Sequence, residues 1–396
     1  WWDALTKIKE NAEPTAIITS WWDFGHWFKT VADRAVTFDG GSQNTPQARW
    51  VGKMLLTPDE NISFGIVRML DCGGNLAFEA IDRKMNDSVL SVKIVDSLIS
   101  QPKANATYIL AGFGFTSDEI DNITAYTHCS PPEGYVIASN DMIGKSGVWG
   151  HFGAWNFEKA AMVLKARGLP HDDAILVLTD DFNLSPEIAE STYKSMIKEN
   201  PNNWIAPWPG YEVRKWLFNP CTLTKENLTC RISISDGTAP LTFNLKTKDA
   251  SFPASDGFIH PTSVVYATPE GVSSLSYTGK TTGFSVIIVP SGDSYSAVIS
   301  DPLQANSMFT RMYFFQGHGL SCFDPFDHRQ EVNGGDIFTF KMDWTCAGKN
   351  RIFFTESDNL DIKNDTKVIR IPLNKTIILN NTTPINKTIN PSNTTN

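Results

Sequence analysis

Residues 21–27, which read W-W-D-F-G-H-W, concentrate three tryptophans and one carboxylate within seven positions. Neighbouring side chains cannot occupy one face of a helix or strand, so one of Trp21 and Trp22 can enter a core while the other lines a concave surface. An indole offers an apolar face and one N–H donor, whereas the ionised Asp23 carboxylate only accepts hydrogen bonds. A ligand with a methyl group and a hydroxyl, such as a threonine side chain, fits this combination, and serine fits it without the methyl. The same pattern also suits two core tryptophans beside an aspartate that caps a helix.

Residues 21–25 resemble the W-W-D-Y/F-G signature of the catalytic subunit of oligosaccharyltransferases. The features around them follow that family's order: an apolar strand from Ile17, the signature, and then an Asp39-Gly40-Gly41 turn. Residues 308–315, together with 341–344, look like the end of the soluble domain of archaeal members. The resemblance covers residues 1 to about 345, and its most specific part is the first 150 residues.

The resemblance implies the C-terminal extracytoplasmic domain of a membrane enzyme that transfers an oligosaccharide from a dolichol-type lipid to Asn of an N-x-S/T sequon. In that family, acidic residues of the membrane region bind Mn²⁺ or Mg²⁺ and activate the acceptor amide. We therefore expect no catalytic residue and no metal ligand in this chain, which alone would be inactive. The implied partners are an acceptor polypeptide, the lipid-linked oligosaccharide and, through preceding spans, the cell membrane. The sequence starts at Trp1 without an initiator methionine, which predicts that the chain is part of a longer protein.

A second motif of the family lies on a helix and completes the pocket for the acceptor hydroxyl. Met142, Lys145 and Trp149 have the matching spacing here, and positions i, i+3 and i+7 share one helical face. The predicted site that binds the acceptor Ser or Thr therefore consists of six residues: Trp21, Trp22, Asp23, Met142, Lys145 and Trp149. Alternatively, Lys145 forms an ordinary surface ion pair with Asp141, and Met142 and Trp149 are core residues.

Cysteines and sequons both indicate an extracytoplasmic protein. The six cysteines include no C-x-x-C pair, and their even number permits three disulfides. Proximity favours Cys221–Cys230, then Cys72–Cys129 and Cys322–Cys346, although buried free thiols also fit. Twelve N-x-S/T sequons occur, and six of them lie between residues 364 and 396, in a tail too poor in aromatic residues to fold.

The pattern along the chain predicts an α+β protein. We expect a mixed α/β acceptor-recognition domain at 1–205, a β-rich domain of sandwich or barrel type at 206–354, and a disordered Asn/Thr-rich tail at 355–396. Apolar runs at 174–178 and 309–315 read as strands, and Ser185 with Pro186 reads as the start of a helix. The net charge of −9 argues against nucleic-acid binding.

Two other classes of function remain compatible with the sequence. A secreted or surface carbohydrate-binding module would use the tryptophans to stack on sugar rings. A glycoside hydrolase would need a pair of carboxylates, and no such pair stands out. A weaker pattern is His318, Asp324, Asp327 and His328, which could hold a metal but reads more readily as a solvated turn.

Overall fold

The computed structural model describes residues 1–212, 217–234, 237–332 and 334–346, together with two short strands at 369–370 and 376–377. Helices dominate the first half and strands dominate from Asn219 onward, so the predicted α+β class is confirmed. Among the described residues, no helix combines the length and the apolar character needed to cross a bilayer. The three predicted disulfides, Cys72–Cys129, Cys221–Cys230 and Cys322–Cys346, are all present.

In chain order the α-helices are α1 (Trp2–Asn11), α2 (Gly25–Trp27), α3 (Gln47–Leu56), α4 (Glu60–Gly73), α5 (Leu76–Met85), α6 (Ser88–Ile99), α7 (Lys103–Gly112), α8 (Ser117–Thr127), α9 (Asp141–Gly144), α10 (Ser146–Gly153), α11 (Phe157–Ala166), α12 (His171–Asp180), α13 (Pro186–Lys198), α14 (Pro201–Ile205), α15 (Pro302–Ala305) and α16 (Met308–Tyr313). The strands are β1 (Ile17–Thr19), β2 (Ala35–Val36), β3 (Gly134–Ser139), β4 (Asn219–Thr224), β5 (Asn227–Ile234), β6 (Gly237–Asn244), β7 (Ala250–Ala254), β8 (Gly257–Ile259), β9 (Ser263–Thr268), β10 (Gly271–Ser276), β11 (Ser285–Ser291), β12 (Ser294–Ser300), β13 (Phe323–Gln330), β14 (Asp336–Met342), β15 (Ile369–Arg370) and β16 (Thr376–Ile377).

The first sheet has five strands in the order β13-β14-β3-β1-β2. β1 runs parallel to both β2 and β3, while β14 is antiparallel to β3 and to β13. All six residues of β3 are buried, which is typical of a strand covered on both faces. β13 and β14 lie inside the segment predicted as a separate β-rich domain, yet they complete this N-terminal sheet.

Helices α3 to α8 contribute to the main hydrophobic core together with α16 and strands of both sheets. Side-chain caps begin three of these six helices: Asp59 accepts from the Asn61 amide at α4, Asp87 caps α6, and Thr116 with Glu119 forms a capping box at α8. The Cys72–Cys129 disulfide joins the C-terminal end of α4 to the residue two positions beyond α8. This helical layer therefore carries both local caps and a covalent cross-link between distant segments.

Helices α11 to α14 form a smaller core of their own around Met162, Leu178 and Trp204. The predicted strand at 174–178 is wrong, because these residues lie within α12. Only Ala174 and Leu178 are buried there, four residues apart as on one helix face, and Pro170 precedes the first turn. Ser185 does cap α13 through its hydroxyl, with Pro186 at the first helical position, as predicted.

The second sheet has nine strands in the order β10-β9-β11-β12-β4-β5-β6-β7-β8. All neighbours are antiparallel except β9 and β11, and the Cys221–Cys230 disulfide links the paired strands β4 and β5. The predicted strand at 309–315 is wrong, because this stretch belongs largely to α16, which Ser307 caps. Every residue of α16 is buried, so no helical periodicity was visible in its sequence.

The chain divides into two compact units, Trp1–Thr355 and Glu356–Asn396. In the second unit, β15 and β16 form an antiparallel pair. Apart from those two strands, the tail predicted at 355–396 lies outside the described residues.

Candidate functional site

Three neighbouring parallel strands deliver the predicted site residues to one edge of the first sheet. The carboxyl ends of β2, β1 and β3 lie side by side, because β1 pairs in parallel with both of the others. Trp21 to Asp23 follow β1, Asp39 follows β2, and Asp141 to Lys145 follow β3. Binding sites of sheets with parallel strands commonly form at this edge, and here the topology brings together residues that are more than a hundred positions apart.

The segment after β1 folds into a continuous irregular helix. A 3₁₀ turn at Trp22–Phe24 leads into α2 and then into a π-helical turn at Phe28–Ala32, which ends at Asp33 with φ of 54°. Gly25 is required at the first junction, since a Cβ atom there would lie 2.5 Å from the Cβ of Asp39. The glycine of the signature therefore lets the helix approach the Asp39 turn.

The two neighbouring indoles have different surroundings. Trp21 is buried and packs edge-on against Phe38, with ring centroids 5.3 Å apart, and also lies near Phe152. Trp22 is partly exposed and lies beside the Asp39-Gly40-Gly41 turn. One tryptophan thus anchors the segment in the core, and the other remains available at the surface, as the sequence pattern suggested.

The central contact of the site is an ion pair between Asp23 and Lys145. The Lys145 Nζ lies 2.6 Å from Asp23 Oδ1 and 3.0 Å from Asp141 Oδ2. Partial burial acts to lower the pKa of Lys145, but its hydrogen bonds to Asp23 and Asp141 outweigh that effect and raise the pKa above its usual value. The Lys145 ammonium also lies 5.6 Å from the centroid of the Phe24 ring, a cation–π contact. Lys145 therefore forms the predicted ion pair with Asp141 and also contacts Asp23, whereas its contact with the acceptor stays a prediction.

The second oxygen of Asp23 is in an unusual position. Asp23 Oδ2 is buried and has no hydrogen-bond partner within the described part of the chain. An ionised carboxylate oxygen without a donor carries an unrelieved desolvation cost. The Lys145 contact therefore fixes the carboxylate by one oxygen and leaves the other able to accept a hydrogen bond.

Met142 and Trp149 lie behind this ion pair rather than on the surface. Both are almost fully buried, and the Trp149 indole N–H donates to the Met142 carbonyl oxygen at 2.9 Å. The Ser20 hydroxyl lies 3.7 Å from the Met142 sulfur, which connects the floor of the site to the W-W-D segment. In this conformation Met142 and Trp149 are core residues that support the ion pair.

The predicted single helical face over 142–149 differs from the structure. Lys145, at φ −102° and ψ 2°, separates α9 from α10, so the three residues do not lie on one uninterrupted helix. α10 is held instead by a close crossing with α3. A Cβ on Gly52 would lie 2.4 Å from the Trp149 carbonyl oxygen, and one on Gly153 would lie 2.4 Å from the Gly52 carbonyl oxygen. This crossing fixes Trp149 and, through it, the end of the segment that carries Lys145.

Two aspartates outside the predicted set lie in the segments that follow β3 and β2. Asp141 joins Lys145 on one side and accepts a hydrogen bond from the Ser139 hydroxyl on the other. Asp39 accepts hydrogen bonds from Lys29, from the Gly41 amide and from the Ser42 hydroxyl, and the Lys29 contact is the main reason why its pKa lies below the ordinary value. The i, i+4 spacing of Asp141 and Lys145 was the available signal for the first. Asp39 was visible only as part of a turn.

Metal ligands are not clustered in the part of the chain that the structure describes, which brings together no group of three or more His, Cys, Asp or Glu side chains. Three of the four residues of the weaker pattern have separate partners: His318 bonds the Thr268 carbonyl, His328 pairs with Asp336, and Asp327 pairs with Lys7.

Comparison with known proteins supports the resemblance found in residues 21–25. The chain is 39% identical over 163 residues to a dolichyl-phosphooligosaccharide-protein glycotransferase of Methanocaldococcus jannaschii, a match that covers 40% of this chain and 18% of that protein. It is 34% identical over 168 residues to the protein of the same name from Methanococcus voltae, covering 41% and 18%. The matched region is thus less than a fifth of either relative. No protein-family model matches the chain.

Among solved structures, the chain is similar to the C-terminal domain of PglB from C. jejuni. The identity is 12% and the TM-score is 0.36, over 86% of this chain and 99% of that domain. The resemblance to archaeal glycotransferases accordingly rests on the sequence matches.

Proposed function

We propose that this chain is the acceptor-recognising domain of an oligosaccharyltransferase, which transfers a lipid-linked oligosaccharide to Asn of N-x-S/T sequons. The domain binds the Ser or Thr side chain two residues after the acceptor Asn. The names of the two archaeal relatives support the reaction class. The geometry of Asp23 supports the recognition step.

The observation that carries the proposal is the asymmetric environment of the Asp23 carboxylate. Lys145 occupies Oδ1, while Oδ2 is buried without a donor. A hydroxyl that donates to Oδ2 would remove a desolvation cost of about 1–3 kcal/mol. A side chain that lacks the hydroxyl leaves the cost in place, and sites of this kind discriminate strongly against such analogues.

The surrounding residues give this hydrogen bond its geometry. Trp22, partly exposed, offers an indole face to the methyl group of threonine. Trp21, Met142 and Trp149 are buried and hold the W-W-D segment and α10 in place. A primary amide is a poor nucleophile, so placement of the acceptor Asn relative to the lipid-linked sugar matters greatly. The hydroxyl contact fixes that Asn through the two intervening peptide units.

The remaining chemistry we assign to parts of the protein outside this chain. The family resemblance implies acidic residues and a Mn²⁺ or Mg²⁺ ion in a membrane region, where the acceptor amide would be activated. The described residues bring together no group of three or more side chains that could hold such an ion. We place the domain on the extracytoplasmic face of the cell membrane, which the three disulfides support, because disulfides persist in oxidising compartments.

The experiment that tests this function is the Asp23→Ala substitution in the full-length enzyme. We expect transfer to a sequon peptide to be abolished, while the thermal unfolding of the domain stays close to that of the unsubstituted protein. Near-normal transfer would contradict the assignment. Saturable binding of free glycans by this chain, unaffected by Asp23→Ala, would instead favour a carbohydrate-binding module.

A further inference from the structure

The chain carries sequons of its own, and six of the twelve begin within the described residues. In all six the Asn side chain is exposed: Asn61, Asn86, Asn105, Asn122, Asn183 and Asn227. A transferase that recognises the Ser or Thr two residues after the Asn also needs the hydroxyl of that Ser or Thr to be accessible. The six sequons differ sharply in this respect.

Two of the six sequons are blocked in the folded chain. Ser63, which follows Asn61 on α4, and Thr124, which follows Asn122 on α8, are fully buried. The Cys72–Cys129 disulfide ties together the ends of these same two helices. Once that cross-link and the surrounding core have formed, neither hydroxyl can enter an external site.

One sequon is open along its whole length. Asn86, Asp87 and Ser88 are all exposed, and this is the one sequon of the six in which no residue is buried or half-buried. It lies in the turn between α5 and α6, where Asn86 has φ of 51° and Asp87 is extended. Asn86 directly follows the last residue of α5 in a left-handed conformation, so it lies outside the regular helix.

The other three sequons are partly obstructed. In the Asn105 and Asn227 sequons, the middle residues Ala106 and Leu228 are fully buried. Asn227 also pairs across the strands with Asn244. In the Asn183 sequon, the Ser185 hydroxyl caps α13. Each of the three includes a buried or half-buried residue, whereas the Asn86 sequon is exposed throughout, with the Ser88 hydroxyl donating to the Asp82 carboxylate.

We propose that Asn86 is an N-glycosylation site of this protein in its folded state, and that Asn61 and Asn122 accept a glycan only before α4 and α8 are locked together. The proposal rests on the proposed function, because it requires a transferase that reads N-x-S/T sequons in the compartment of this chain. The Asn86 amide nitrogen forms a bond to C1 of the first sugar and loses a proton. The bond from C1 to the phosphate oxygen of the lipid carrier breaks, and the lipid phosphate leaves.

The test is peptide mass spectrometry of the full-length protein, purified from cells in which a separate secreted sequon protein is glycosylated. We expect the Asn86 peptide to carry the same glycan as that reporter, with Asn61 and Asn122 occupied much less. Asn86→Gln and Ser88→Ala should each remove the glycan, whereas Ser88→Thr should retain it. Ser88→Ala leaves the left-handed Asn86 in place, so loss in that variant reports on the sequon rather than on a disturbed turn.

An unmodified Asn86 peptide beside a modified reporter would overturn the proposal and leave the proposed function intact. If Asn86 is modified and the Asp23→Ala enzyme still glycosylates the reporter normally, the proposed function is contradicted and the Asn86 proposal stands. A second variant tests the blocked sequons. With Cys72 and Cys129 both changed to Ser, glycan occupancy of Asn61 and Asn122 should rise, while that of Asn86 stays the same. Unchanged low occupancy of Asn61 and Asn122 would contradict the role of folding.

Discussion

The Lys145 ammonium lies 2.6 Å from one carboxylate oxygen of Asp23, and the two residues come from segments that follow neighbouring parallel strands. The other oxygen of the same carboxylate is buried without a donor. The ion pair therefore does more than connect two segments. It holds the carboxylate by one oxygen, and the proposed function assigns the other oxygen to the acceptor hydroxyl.

Removal of the lysine should weaken the site more than removal of its second partner. In Lys145→Met, the Asp23 carboxylate loses its cation while four-fifths of its side-chain surface remains covered, at 20% exposure. We expect transfer by the full-length enzyme to fall about 10- to 100-fold, corresponding to roughly 1–3 kcal/mol for the unpaired group. Asp141→Asn is the matched control, since Lys145 keeps Asp23, and a smaller loss is expected. Equal losses in initial transfer rate for the two variants would contradict this order.

A methyl group at Gly25 should disturb the W-W-D segment. The added Cβ would lie 2.5 Å from the Cβ of Asp39, so the backbone must shift. Overpacking of this kind costs about 1–3 kcal/mol, and we expect Gly25→Ala to lower the midpoint of thermal unfolding and also the transfer rate. Gly168→Ala serves as the control, because nothing lies within 4 Å of the corresponding Cβ position. Comparable unfolding midpoints for the two variants would show that an added methyl group at Gly25 does not lower the free energy of unfolding.

Asp71 on α4 should destabilise the folded chain at neutral pH. Both of its carboxylate oxygens are buried without a partner among the described residues, and burial raises its pKa well above the ordinary value. The folded state therefore holds the Asp71 proton more tightly than the unfolded state, and this contribution to stability is lost as pH rises from the unfolded pKa toward the folded one.

Asp71→Asn removes that proton linkage. We expect the variant to gain about 1–3 kcal/mol at pH 7 relative to the parent and to gain less as pH is lowered toward 4. Denaturant unfolding at several pH values measures both effects, with the exposed Glu10→Gln as a control for charge alone. A gain that is independent of pH would exclude titration of Asp71 as its cause.

The Asp23–Lys145 contact should persist through mildly alkaline pH. The pKa of Lys145 is raised by its two carboxylate partners, so its charge is fully present below the ordinary lysine pKa and is lost only above it. We expect binding of a threonine sequon peptide to be constant from about pH 7 to pH 9. Weakening that begins below pH 9 in the parent protein and is absent in Lys145→Arg would indicate that Lys145 titrates earlier than its environment implies.

Part of the candidate site could be predicted from sequence, because Trp21, Trp22 and Asp23 are adjacent in the chain. The order of Trp21, Trp22 and Asp23 indicated a buried and a surface indole beside an acceptor, and the resemblance to the family's second motif pointed to Lys145. Proximity in the chain favoured the three disulfides that the structure contains. The unpartnered oxygen of Asp23 could not be predicted, since it depends on where Lys145 arrives from a strand far along the chain.

Errors in the predicted fold arose where burial is decided by distant segments. The full burial of Trp149 depends on the crossing of α10 with α3 at Gly52, almost a hundred residues earlier. β14 joins the first sheet through pairing with β3, which no local pattern in 336–342 could reveal. Short apolar runs such as 174–178 fit a strand or a buried helix equally well, and only the preceding Pro170 and the acidic first turn favoured the helix.

The most direct test of the central claim compares two acceptor peptides that differ only in Thr or Val at the second position after Asn. These side chains have similar shape, so the comparison isolates the hydroxyl. With the full-length enzyme, we predict that kcat/KM favours the Thr peptide by about 10- to 100-fold or more, and that Asp23→Ala abolishes the preference together with most of the activity. An Asp23→Ala enzyme that still transfers to the Thr peptide and still rejects the Val peptide to the same degree would show that Asp23 does not read the acceptor hydroxyl.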